Sequence, residues 1–254
     1  MKLKAFLLVL FGAYPRRTST LRYLPLYLQQ KAAFVAAGGE IAHEHAIFED
    51  YADQAGTARG HYFHQDLLVA GFVHTAKPLR HIDVGSRIDG FVAHVAAFRP
   101  IEVIDIRPLS MTKHQNICYV QGNLMDLDPG LHEVCDSLSC LHAIEHFGLG
   151  RYGDPVDPLG HRRGFDNLVR MLKGGGHLYV SFPIGRSAVH FNAHRVFDPT
   201  EVLGWAGDRL ELLRFDYVDD AGDLHLDQSL ATPPRLDYGC GIYSFRKRPA
   251  AANA

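Results

Sequence analysis

The chain lacks several features that would have settled its class at once. Its four cysteines (Cys118, Cys135, Cys140, Cys240) form no CxxC pair, which excludes the commonest zinc-ribbon and dithiol arrangements. Two of them lie in apolar strand-like runs, as buried thiols in a reducing compartment do. No GxGxxG string occurs, so a nicotinamide-dependent oxidoreductase is disfavoured. Lysine and arginine total 26 against 28 acidic residues, a net charge of −2, and they form no long basic run. Nucleic acid is therefore not an expected partner, because neutralising phosphates takes clustered Lys and Arg. No run of apolar residues is long enough to span a bilayer. The best one, Ala5 to Ala13 behind Lys2 and Lys4, is about half the needed length. No small-x-small cleavage site follows it, and Phe11 would fill the outer small position, so a buried strand or a membrane-surface contact is expected there and a cytoplasmic location follows. The sequence does not fix the oligomeric state.

What is present is ordinary globular composition, 47% hydrophobic and 21% charged, in 254 residues. Residues 1–75 carry no nucleotide motif. Thr20 to Ala37 places Leu21, Leu24, Leu28, Ala32 and Val35 at helical spacing and closes on Gly38-Gly39. A histidine-rich stretch (His43, His45, His61, His64) precedes a short helix over Asp66–His74. This region reads as an extension packing on a core at residues 76–248, with Tyr62, Phe63 and His64 placed to close over a substrate. Residues 249–254 read as a disordered tail.

From Leu79 short apolar runs alternate with helical stretches. Strands are expected at Arg80–Val84, Glu102–Asp105, Cys118–Gln121, Val134–Cys140 and Gly176–Phe182. Helices are expected at Gly90–Phe98 and Arg163–Leu172, with a short turn near Ser110–Lys113. That alternation implies an α/β fold with a mostly parallel, Rossmann-like sheet. A helix starting at Asp198-Pro199 and strands at Leu210–Val218 and Tyr238–Arg246 then predict a C-terminal antiparallel hairpin at the sheet edge.

Open sheets of this kind bind ligands at the carboxyl ends of their central strands. The loop His81-Ile-Asp-Val-Gly-Ser-Arg-Ile-Asp-Gly90 leaves the first strand at Asp83-Val-Gly85 and enters a helix at Gly90, which lets backbone approach a ligand. Asp105 ends the second strand, where a carboxylate accepts hydrogen bonds from paired ribose hydroxyls. Asn123, in Gly122-Asn-Leu-Met-Asp126, ends the third, where a polar side chain reads an adenine edge.

Residues 79–184 resemble the core of class I S-adenosylmethionine-dependent methyltransferases. Asp83-x-Gly85 resembles their first motif, Asp105 their ribose-binding acid, Asp136–His146 their fourth-strand motif, and Leu172-Lys-Gly-Gly-Gly-His-Leu-Tyr-Val180 their turn into strand five. The string Leu141-His-x-Ile-Glu-His-Phe-Gly-Leu-Gly-Arg-Tyr-Gly-Asp154, with Phe191-Asn-Ala-His-Arg195, resembles a poorly characterised branch linked to surface glycan assembly. The resemblance implies S-adenosylmethionine as cofactor, held by Asp83, Gly85, Ser86, Arg87, Gly90, Asp105, Ile106, Asn123, Leu124, Cys140 and Leu141. Arg87 and Asp89 replace the second and third glycines of the family loop, so Arg87 either crowds the methionine portion or pairs with its carboxylate. A domain that kept the sheet and became a non-catalytic binding module is the competing expectation.

Methyl transfer requires alignment of nucleophile, methyl and sulfur, and a base when the acceptor is a hydroxyl. His146 or His142 is the expected base, with Glu145 and Asp154 on the same loop. His194 is the second choice, and Arg195 is a candidate clamp for a substrate phosphate or carboxylate. The acceptor class is a small or glycan-linked hydroxyl. His142-x-x-Glu145-His146 also matches an inverted zinc-protease pattern without its third ligand helix. No metal ligand is therefore predicted, although Asp154 or His161 would be the ligand of a metal-assisted variant.

Overall fold

A computed structural model describes residues 20–110 and 113–249. The apolar segment at residues 5–13, the tail from residue 250 and part of the Ser110–Lys113 turn lie outside that range. The chain divides into two units between Thr57 and Ala58. In the described part of the first, helix α1 (Leu24–Ala36) starts with proline at its second position and buries no residue. Lys31 and Tyr27 both engage Glu44, and Tyr51 donates to Gln30.

The second unit begins earlier than residue 76. Helix α2 spans His61–Ala76, five residues longer at its start than the expected Asp66, because Gly60 turns the chain at φ 89°. Val69, Ala70 and Val73 on α2 are core residues packed with Ile101, Val103 and Val95. The helix therefore belongs to the sheet domain: its apolar face has no other burial available.

The strands are β1 (His81–Val84), β2 (Ile101–Asp105), β3 (Ile117–Gln121), β4 (Cys135–Leu141), β5 (Leu172–Ile184), β8 (Leu210–Val218), β9 (Leu224–His225) and β10 (Gly239–Lys247), with a separate small hairpin of β6 (Ala188–His190) and β7 (His194–Val196). They form an eight-stranded sheet in the order β3-β2-β1-β4-β5-β10-β8-β9. β3 through β5 run parallel, and β10 runs antiparallel to both β5 and β8. The predicted terminal pairing exists, but the last strand inserts inside the sheet and β8 lies outside it. β10 is buried over its first seven residues, which suits an interior position; β8 is only partly buried.

Apolar layers cover both faces. Ile82, Val84, Leu138 and Val180 pack against helices α4 (Gly160–Met171) and α5 (Glu201–Ala206) on one side. Ile101 and Val103 pack against α2 and the short helix α3 (Ala93–Ala96) on the other. Phe165, Leu168 and Val169 form the buried stripe of α4 as their spacing predicts. Leu172 departs: it opens β5 by pairing with Cys135 of β4, and the glycine run forms an irregularity before pairing resumes at His177 opposite Ser137. The expected helix over Gly90–Phe98 begins instead as a π-turn at Ile88–Val92, with Gly90 at φ −122°, ψ −110°. A Cβ on Gly90 would stand 2.4 Å from the Asp66 carboxylate of α2.

Candidate functional site

The ends of β1, β2, β3 and β4 open into a cleft of about 390 Å³. Each strand stops there for a local reason. Gly85 turns at φ 73°, and its N–H donates to the Ile104 carbonyl. A Cβ there would lie 2.8 Å from the Ala143 Cβ, so both conformation and space demand glycine. Gly122 N–H donates to the Asp105 carbonyl and ends β3.

Of the residues expected from the sequence, Gly85, Arg87, Asp105, Ile106, Asn123, Leu124, His142, Glu145, His146, Asp154 and His194 line the cleft. Asp83, Ser86, Gly90, Cys140, Leu141 and Arg195 do not. Asp83 and Ser86 turn inward. Asp83 Oδ1 accepts from Ser86 Oγ (2.6 Å) and Ser139 Oγ (2.5 Å), and Ser86 Oγ accepts from the Leu141 N–H (3.1 Å). His81 continues the chain, with Ser137 Oγ 2.7 Å and Ser139 Oγ 3.2 Å from its two ring nitrogens. Burial pushes Asp83 up to about 7 against the serine hydrogen bonds, and burial pushes His81 down to about 3. This row of hydrogen bonds holds the first turn from beneath. Cys140 and Leu141 are interior residues of β4, and burial drives the Cys140 thiol well above its usual range.

Asp105 stands at the cleft rim only 9% exposed, and its carboxylate is already engaged. Arg107 grips it through Nε (2.9 Å), Nη2 and the backbone N–H (2.8 Å), while the same guanidinium lies 4.7 Å from the Tyr152 ring centre. Arg87 pairs with Asp89 (2.7 Å) and lies over Tyr62 at 5.1 Å. The Asn123 Oδ1 accepts from the Met125 N–H at 3.0 Å.

The loop after β4 is shaped by its acid and by Arg195. Asp154 accepts from the N–H groups of Gly148 (2.8 Å), Gly150 (3.3 Å) and Tyr152 (3.2 Å). Arg195, buried, donates to the Phe147 carbonyl at 2.6 Å and to those of Glu145, Asp157 and Pro158. Its guanidinium is consumed by backbone oxygens, which removes it as a substrate clamp. His161 packs against Phe197 and Trp205, apart from Asp154. Of the two alternative ligands of a metal-assisted variant, Asp154 lines the cleft and is engaged by backbone N–H groups, while His161 does not line it.

The two loop histidines differ. His142 sits at φ 49° with Nδ1 2.8 Å from Glu145 Oε1, both side chains buried. Burial opposes its charge, but Cys240 and Glu145 outweigh burial and raise its pKa well above the usual value; burial alone would raise Glu145, and His142 lowers it. His146 Nδ1 lies 2.6 Å from the Ala193 carbonyl, so it carries the proton and Nε2 keeps its lone pair, 3.7 Å from Glu145 Oε1. Burial lowers the His146 pKa, with Glu145 opposing. Among the described residues, the sequence reading missed His61, Arg107, Arg151, Tyr152 and Tyr238 as lining residues. Tyr152 and Arg151 carried a signal through the glycine-rich loop that contains them, and His61 through the histidine-rich stretch; Arg107 and Tyr238 carried none.

Comparison with known proteins fits this geometry. A family described as "Caenorhabditis protein of unknown function, DUF268" matches residues 130–204, the segment holding the loop after β4 and the β6–β7 hairpin. A search of curated proteins finds no match. Among solved structures, the N-methyltransferase NodS from Bradyrhizobium japonicum WM9, in complex with S-adenosylhomocysteine, aligns at 17% identity and TM-score 0.51, over 74% of this chain and 88% of its own. A putative sarcosine dimethylglycine methyltransferase from Galdieria sulphuraria aligns at 14% identity and TM-score 0.52, over 73% and 85%. The [4+2]-cyclase SpnF aligns at 15% identity and TM-score 0.53, over 94% and 98%. The fold is a class I methyltransferase fold. A cyclase among these neighbours shows why the reaction has to be argued from the site.

Proposed function

We propose that this protein is an S-adenosylmethionine-dependent methyltransferase acting on a hydroxyl acceptor. The observation that carries the reading is the alignment, along one rim, of the tight Gly85 turn, the Asp105 carboxylate and Asn123 with a histidine of defined tautomer at the far side of the cleft. Gly85 would admit the methionine portion, Asp105 would accept from the ribose hydroxyls, and Asn123, beside Ile106 and Leu124, would meet the adenine edge. The cofactor supplies the electrophilic methyl. Arg107 must share or yield part of the Asp105 carboxylate when the ribose arrives, since each carboxylate oxygen can accept two hydrogen bonds.

His146 is the base. Its Nδ1–H is committed to Ala193, so Nε2 takes the acceptor proton, and its lowered pKa keeps it unprotonated at neutral pH. His142 has its Nδ1 committed to Glu145, and Cys240 and Glu145 raise its pKa, which makes it the poorer base. Glu145 Oε1, 2.8 Å from His142 Nδ1 and 3.7 Å from His146 Nε2, stabilises the charge that forms on His146. A small hydroxyl suits the cleft volume; a glycan-linked one rests on the motif resemblance alone.

The test is transfer of a labelled methyl group from S-adenosylmethionine to a panel of hydroxyl acceptors. His146→Gln should lower kcat by about 10²–10⁴-fold with cofactor affinity unchanged. An active wild type whose kcat is indifferent to His146→Gln refutes the base assignment. S-adenosylhomocysteine binding without turnover of any acceptor would favour the non-catalytic module, with Arg107 retained on Asp105 as its motivation.

A further inference from the structure

Three side chains from distant parts of the chain converge at the back of the cleft. His61 opens α2, His142 follows β4 immediately, and Cys240 is the second residue of β10. Their ligating atoms all lie within 4.8 Å of one another. Cys240 is fully buried, His142 is nearly so, and His61 is partly exposed.

The surroundings of His142 are those of a ligand in waiting. Its Nδ1 faces Glu145 Oε1 at 2.8 Å, while its Nε2 is buried and has no hydrogen-bond partner. Imidazoles that bind metals characteristically give their other N–H to a carboxylate, which orients the ring and raises its basicity. A buried ring nitrogen left unpaired is costly in any other role. The backbone at His142 adopts φ 49°, uncommon for a residue with a side chain, and is pinned there by its N–H to the Ser181 carbonyl at 2.9 Å. The main chain is thus held in a conformation that sets this ring against His61 and within reach of Cys240.

We propose that His61, His142 and Cys240 form a mononuclear Zn²⁺ site, with Glu145 behind His142 and the fourth coordination position open to the cleft. Two imidazoles and a thiolate are a borderline-soft set that suits zinc over magnesium or calcium. With Zn–N near 2.1 Å and Zn–S near 2.3 Å, tetrahedral ligand atoms stand roughly 3.5 Å apart. The cluster must therefore close by about 1 Å. His61 supplies the movement. Its ring now stacks on His142 at 5.1 Å and 13°, and two stacked rings cannot both direct an in-plane lone pair at one ion. Coordination turns His61 out of the stack, which its position at the helix start beside Gly60 permits. His61 and His142 line the cleft and Cys240 lies behind them, so the remaining position faces the ligand space. An ion there binds an oxygen or sulfur donor of whatever occupies the cleft. The inference is independent of the cofactor reading.

The experiment strips the full-length protein with a chelator and titrates it with Co²⁺, then displaces the cobalt with Zn²⁺. The expected result is one metal ion per chain, with a thiolate-to-cobalt charge-transfer band that Cys240→Ser removes. His61→Ala, at a partly exposed position, should weaken Zn²⁺ at least tenfold in competition with a chromophoric chelator while leaving the circular dichroism unchanged. That variant keeps the test decisive if Cys240→Ser fails to fold. Absence of stoichiometric cobalt binding, a complex without the thiolate band, or Zn²⁺ affinity unaffected by His61→Ala would each overturn the site.

Discussion

Gly85 is where conformation, packing and ligand access meet, and it gives the sharpest prediction. Gly85→Ala places a side chain at φ 73°, a left-handed conformation that costs an L-residue roughly 1–2 kcal/mol. It also drives the new Cβ to 2.8 Å from the Ala143 Cβ, in a core where overpacking costs typically about 1–3 kcal/mol. The sum is about 2–5 kcal/mol, a fall in Tm of roughly 5–15 °C for a domain of this size. The two terms separate in a double-mutant cycle. Ala143→Gly removes the opposing methyl, so in the double variant only the backbone cost of Gly85→Ala remains. The coupling should be favourable by about 1–3 kcal/mol, the overpacking component. Urea unfolding of the four proteins measures it. A Gly85→Ala variant within about 0.5 kcal/mol of wild type, or strictly additive variants, would refute the close approach of the β1 turn to the β4 loop.

Other outcomes follow from the polar groups. His81 has a folded pKa of about 3 and an unfolded one near 6.5, so between those values the unfolded chain binds the extra proton and stability falls as pH falls. From about pH 7.5 to 5.5 this group alone removes about 1.4 kcal/mol, and His161, pushed down to about 4 by burial, acts in the same direction. Denaturation at the two pH values checks this, and His81→Gln should flatten the dependence. Asp154→Ala leaves three backbone N–H groups of the loop without their acceptor and should cost about 1–3 kcal/mol. Proteolysis within residues 148–157 should accelerate accordingly, and an unchanged cleavage rate would contradict the role given to Asp154.

The parallel strands were legible because each is a short apolar run bounded by turn residues, and Asp105 was legible because a lone acid closes such a run. Asp83 reads equally well as a cofactor ligand from sequence. Its inward turn depends on Ser139, which pairing in the sheet brings to it from 56 residues away. Arg195 fails as a clamp for a similar reason: four backbone carbonyls from the preceding loop reach it only in the folded chain. His61 stood out only as one of a histidine-rich stretch, and Tyr238 and Cys240 carried no local signal, since only the insertion of β10 between β5 and β8 brings them beside His61 and His142. The expected boundary at residue 76 falls after α2, whose weak amphipathicity hides core contacts that are tertiary.

The methyl-transfer reading requires the rim around Asp105 to receive an adenosine. Isothermal titration of the purified protein with S-adenosylhomocysteine addresses it directly. Saturable binding at one site is predicted, weakened by about 10–100-fold in Asp105→Ala through loss of charge-assisted hydrogen bonds to the ribose. No heat at millimolar ligand, or equal affinity in the variant, would contradict it.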